Sequence, residues 1–260
     1  MKMRKMLKVF SLILITVFAV STLVSGQEEK KEDVSMNADG TYSSTKYNEA
    51  ERPEDSYLAK FHAQDVVAKL MKKNLDQIYL LKVIVSNFKD KGWEEEYKKC
   101  YAGYKKAMDL YYKRNIIYSR VEFENNKKDI SDLLKKITDE YKKDTQTMLN
   151  DCADKILLLH LDEKTRSDPN KNRELHLNQM RLRISYGQFD DALSSSIDKN
   201  YETAVYHYRV SKTYAIKIIE ELATPNETQG VKDKYKIHKA DNLNRIFETS
   251  SSAGGTKTPQ

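Results

Sequence analysis

The residues best suited to metal binding or proton transfer in this chain are five histidines: His62, His160, His176, His207 and His238. No two stand four apart on one helix face, and there is no His-Glu-x-x-His pattern. A metal site would need them to converge from separate helices, so ordinary helix histidines are the better reading. There is no glycine-rich phosphate loop and no Gly-x-Ser-x-Gly elbow. Ser194-Ser195-Ser196 has neither a histidine nor an acid at nucleophile–base spacing, and it reads as a helix end approaching a turn. Asp190-Asp191 and Glu220-Glu221 are adjacent in sequence and point to different sides of a helix, as solvated charge does. No catalytic residue, metal ligand or cofactor is assigned, and an enzyme is not the expectation.

Tyrosine is the residue used unusually. Tyr97, Tyr104, Tyr111 and Tyr118 recur every seventh position behind Trp93. That is the period of a buried helical seam. Tyr112 lies about 100° around the helix from Tyr111, and Tyr206 and Tyr208 diverge by about 200°. One seam cannot bury them all. Exposed tyrosine beside arginine is interface chemistry, so Tyr112, Tyr206, Tyr208, Tyr214 and Arg209 are the candidate partner-binding residues.

The elements that must position these residues are all helices, and no strand pattern of useful length is present. The first helix is predicted from Pro53 to about Asp90, stopped by Lys91-Gly92. The second begins near Trp93 and fades at Asn125-Asn126, and the third continues to about Leu161. Asp168 and Pro169 provide an N-cap and a first helical residue for a fourth helix, roughly 170–197. A fifth covers roughly 200–223 and a last one roughly 231–247. The fold class expected is all-α: an elongated, bent assembly of long antiparallel helices, with a hairpin over 93–161 and a bundle from the rest.

A turn at Asn125-Asn126 makes facing positions of that hairpin sum to about 252. Trp93 then faces Leu159, Tyr104 faces Met148, Tyr111 faces Tyr141 and Tyr118 faces Leu134, with Tyr97 in the same seam. Cys100 faces Cys152. The pair reads either as a disulfide, in an oxidising compartment, or as two buried free thiols, because packed helix axes often hold Cα atoms beyond the roughly 7 Å a disulfide spans.

Both ends of the chain read differently. Lys2, Arg4, Lys5 and Lys8 precede an apolar run from Val9 to Val24, and small residues follow at Ser25-Gly26. This is the pattern of a signal peptide cut after Gly26, with no cysteine behind it for a lipid anchor. Residues 27–52 carry few large aliphatics and read as a flexible leader, and 249–260 as a disordered tail. Nothing after the signal is apolar enough to span a membrane. Four of the six excess positive charges belong to the signal. The remainder is near neutral and interleaved in sign, which does not support nucleic-acid binding.

Two resemblances follow. Tyr186-Gly-Gln-Phe-Asp-Asp-Ala-Leu193, with Ala204 and Tyr208 downstream, looks like one tetratricopeptide unit without a second copy. More of the chain, about 53–247, resembles the flagellar-coiling proteins of spirochaetes, the A type more than the B type. The resemblance is carried by Glu140–Lys143, Met148–Lys155, Arg183–Ala192, Tyr206–Ala215 and Lys234–Arg245. It implies an exported, all-helical, non-catalytic protein on the periplasmic flagellum. Such a protein coats the filament beside other sheath proteins, associates laterally with itself and promotes coiling and motility. The alternative is a periplasmic helical chaperone or tetratricopeptide-like adaptor.

Overall fold

The structure is a computed structural model, and it describes residues 56–248. The expected signal peptide, leader, tail and helix start at Pro53 lie outside the described residues. The described chain is all-α: α1 (Tyr57–Asn87), α2 (Glu94–Tyr112), α3 (Ile116–Leu161), α4 (Glu163–Ser167), α5 (Pro169–Ile197), α6 (Tyr201–Glu221) and α7 (Thr228–Asn242), with a 3-10 turn at Lys89–Lys91. Local chemistry sets several ends. The Ser56 hydroxyl accepts from the Ala59 N–H at 3.1 Å. The Asp168 carboxylate accepts from Asn170 and Lys171 at 2.9 and 3.4 Å, with Pro169 behind it. Gly92 stops the 3-10 turn in the left-handed conformation, at φ 72°, which glycine adopts without strain.

α3 is the spine. Its 46 residues make it about 69 Å long at 1.5 Å per residue. The Asn74 amide bonds the Phe123 carbonyl and Lys91 pairs with Glu140, so α1 runs parallel to the first half of α3. α2 lies antiparallel beside both. Tyr141 and Cys152 meet α6 in the same order along each chain, so α6 runs parallel to the second half of α3. α5 folds back along α6, held by reciprocal hydroxyl bonds between Ser185 and Ser211. α7 bridges α6 and α1.

The hairpin turn is not at Asn125-Asn126. It is at residues 113–115, and α3 runs unbroken through both asparagines. Arg114 takes φ 64°, and the Asn115 N–H closes onto the Leu110 carbonyl at 3.0 Å. This is a Schellman-type stop built without glycine. Facing positions therefore sum to 228: Lys99 pairs with Asp129 at 2.7 Å and Lys106 with Glu122 at 3.3 Å. Asn126 is itself core, opposite Gly103. A Cβ at residue 103 would stand 2.8 Å from the Asn126 Oδ1, so that glycine makes room for the amide.

This corrects the expected seam. Tyr118 belongs to α3 with Leu134, Tyr141, Met148 and Leu159, and cannot face them across a hairpin. Trp93, Tyr104, Leu134, Tyr141 and Met148 are buried, while Tyr97, Tyr111, Tyr118 and Leu159 are half-buried. The inward period was right, and the pairing was not. Tyr104 meets Phe123 edge-on at 5.7 Å, and Tyr141 meets Phe88 at 6.1 Å. Cys100 now lies opposite position 128. That is 24 residues, or about 36 Å, from Cys152 along α3. Both are buried free thiols, and the Cys152 thiol donates to the Ala215 carbonyl at 3.3 Å.

Candidate functional site

Two arrangements stand out, one sealed and one open. The sealed one lies where α1, α3, α6 and α7 converge. Asp241, fully buried, accepts from the Tyr141 hydroxyl at 2.6 Å and from the Arg209 guanidinium at 2.6 and 3.3 Å. Arg209 also donates to the Asn244 side chain at 3.0 Å. Lys212 has no solvent exposure. Its Nζ lies 3.6 Å from the Asp241 carboxylate and 3.5 Å over the Tyr141 ring. α6 turns these cations inward because positions 208, 209, 212, 215, 216 and 219 share one buried face.

The electrostatics follow from burial. Desolvation pulls the Lys212 ammonium down to about 8, against support from Asp241. Burial also pushes the Asp241 carboxyl upward, but Lys212 and Arg209 outweigh it and hold the group below its ordinary value. Burial, then the Asp241 charge, drives the Tyr141 phenol well above its usual range. His238, against the Phe88 ring at 5.2 Å, is lowered to about 4 by burial and then by Lys212. An amine near pKa 8 has the reactivity of a nucleophilic lysine, but this one is enclosed by protein on every side. The cluster ties four helices together, and it sets Tyr208 and Arg209 apart from the other interface candidates. Both are buried, Tyr208 completely, because they lie on the inward face of α6. Tyr208 does not present itself to a partner as expected, and Arg209 reaches the surface only at one edge.

The open arrangement is a set of tyrosines. Tyr112 is 73% exposed and Tyr206 62%, as expected, while Tyr214 is half-buried. The structure adds Tyr79 on α1, 59% exposed, and Tyr101 on α2. Tyr101 stacks on Tyr97 at 6.4 Å and carries the Lys105 ammonium 4.5 Å over its ring. Burial, then the neighbouring Tyr101, Cys100 and Tyr79, raises the Tyr97 phenol. Tyrosines of α2 and α1 thus share one face.

Tyr79 and Tyr206 also flank a groove of about 480 Å³ between α1, α6 and the end of α7. Asp76 and Glu202 stand at one end, and Val210 and the exposed Leu243 lie further along. The edge of Arg209 lines it too. A second groove, about 630 Å³, continues between α6 and α7 and shares Thr213, Asn242 and Leu243 with the first.

Sequence reasoning missed Lys212 and Asp241. The signal available was a pair of cations, Arg209 and Lys212, at apolar-face spacing on the fifth predicted helix. Tyr79 and Leu243 had no signal of their own, since their exposure depends on which helices pack beside them. Gly187, in the tetratricopeptide-like segment, has open space where a Cβ would stand, so it is not a close-packing glycine.

Among the described residues no group of three His, Cys, Asp or Glu side chains is placed to hold a metal ion, and no helix is long and apolar enough to cross a membrane. Fold and site together define an all-helical protein with a locked ionic core and several exposed tyrosines. No family model matches this chain, and no curated protein or solved structure matches it either.

Proposed function

We propose that this chain is a non-catalytic structural subunit, exported to the periplasm, that coats the periplasmic flagellar filament and promotes its coiling. One observation carries the reading. Tyr79, Tyr101, Tyr112 and Tyr206 stand exposed on helices whose packing uses other residues. Tyr79 and Tyr206 gather at one groove, and tyrosine is enriched where partners meet. A coat repeats each contact many times, so individually weak aromatic contacts suffice through avidity. The resemblance to flagellar-coiling proteins supports the same reading. So does the chemistry of the interior, where Asp241 ties Tyr141 to Arg209 and Lys212 is enclosed away from any substrate.

The test is fractionation of intact periplasmic filaments from the source cell. The chain is expected to co-purify with filaments, and its deletion to straighten them. Filaments that lack the chain overturn the proposal. The continuous groove along α6 and α7 favours a second reading, a helical chaperone or adaptor. That protein would suppress aggregation of unfolded outer-membrane proteins in a light-scattering assay, which a coat subunit would not do.

A further inference from the structure

We infer that the α2–α3 turn of one copy docks into the Tyr79–Tyr206 groove of another. This rests on the reading of the chain as an assembly subunit and names one contact by which copies join. The turn is a convex, well-braced knob. Tyr112 stands out at its base, held edge-on against the Tyr111 ring at 5.9 Å. Arg114 is exposed at its apex and has no side-chain partner among the described residues. The Schellman-type closure through Leu110 and Tyr111 fixes its backbone, so the ordering cost of docking falls on the side chains alone.

The groove offers the complementary order. Asp76 and Glu202 open it on α1 and α6. One turn further on, at i+3 and i+4, stand Tyr79 and Tyr206, followed by Leu80, Val210 and Leu243. Asp76 has no partner among the described residues, and Glu202 accepts only the Gln77 amide, at 3.0 Å. A guanidinium placed there meets two carboxylates and two ring faces, the combination that binds arginine best. The Tyr112 ring would then lie along the apolar wall. Lys69, Lys72 and Lys73 border the same carboxylates from the turn below. The surrounding field is therefore mixed, and the contact acts at short range and not by steering.

A chain cannot fill its own groove. Asn74 is level with Phe123 on α3, and Arg114 lies nine residues, about 13 Å, before that level, while the groove opens above it. Knob and groove are different surfaces, so the contact is heterologous and can propagate into an array.

The experiment is a charge exchange on the full chain, read by sedimentation velocity over a concentration series. Arg114→Asp keeps a residue that tolerates positive φ and reverses the knob's charge. Asp76→Lys reverses the groove's charge at an exposed site. Each alone is expected to weaken self-association about tenfold, and an equimolar mixture of the two is expected to recover most of it. Tyr112→Ala and Tyr206→Ala should weaken association with unchanged circular dichroism, which keeps the test open if a charge variant misfolds. A wild-type chain that stays monomeric, or variants whose mixture recovers nothing, overturns the contact. Charge-exchange recovery in a chain absent from isolated filaments overturns the filament reading and leaves the contact standing. A chain that coats filaments without recovery overturns the contact alone.

Discussion

Lys212→Met tests the electrostatic account of the core. Lys212 is fully buried, and its ammonium is drawn from 10.5 to about 8. At roughly 1.4 kcal/mol per pH unit, that displacement corresponds to about 3 kcal/mol of penalty on the charged form. Methionine fills a similar volume without charge, and Asp241 keeps its bonds from Arg209 and Tyr141. The loss is the cation over the Tyr141 ring, worth about 2 kcal/mol when desolvated. The variant is therefore expected to be about 1–2 kcal/mol more stable than wild type near pH 7, in keeping with hydrophobic replacement of buried ions.

The sign with pH is fixed. Below pH 8 the lysine is charged in both folded and unfolded chains, and the penalty is present in full. Between 8 and 10.5 only the unfolded chain holds the proton, so wild-type stability gains on the variant as pH rises. The advantage of methionine is thus largest below pH 8 and fades by 10.5. Cys100, Cys152 and Tyr208, raised by burial to about 11, 12 and 12, titrate alike in both chains and cancel in the difference. Urea unfolding at a series of pH values measures it. A Lys212→Met chain several kcal/mol less stable at pH 7, or a difference that is flat from pH 7 to 10.5, would refute the reasoning.

The opposite substitution should behave oppositely. Asp241→Asn takes from two buried cations the carboxylate they share, leaving Lys212 only the influence of Asp144, and is expected to cost about 3–5 kcal/mol, seen as a lower urea midpoint with an unchanged slope. Gly103→Ala forces a methyl to 2.8 Å from the Asn126 Oδ1 and should cost about 1–3 kcal/mol, and adding Asn126→Ala should recover part of it. Cys100 and Cys152 are buried thiols raised by desolvation. A thiol reagent at pH 8 should label neither until the chain is unfolded and then label both, with no change after reduction.

The local rules read from the sequence hold where side chains cap a helix or glycine ends one. Asp168-Pro169 starts α5, Gly92 separates α1 from α2, and α3 stops at Leu161 as expected. They fail where the chain turns without a signal. Arg114, Lys199 and Asn244 all take positive φ, each closed locally by the next residue's N–H onto the carbonyls of Leu110, Ser195 and Ala240, a Schellman-type stop that no glycine announces in the sequence. Seven-residue spacing carried the tyrosine pattern straight across the turn at Arg114, which hid it, while Asn125-Asn126 looked like a break because buried asparagine is a poor helix former.

Helix periodicity decides which residues can face inward, since it depends only on the angle between neighbours on one helix. It therefore placed Trp93, Tyr104, Tyr141 and Met148 correctly in the core. Which inward faces meet depends on where the chain reverses and which helices run side by side. Those contacts between distant segments decided that Cys100 and Cys152 stay apart, that Tyr208 and Arg209 are enclosed, and that Asp241 holds Arg209 and Lys212. They also decided that Tyr79, Tyr112 and Tyr206 remain in water.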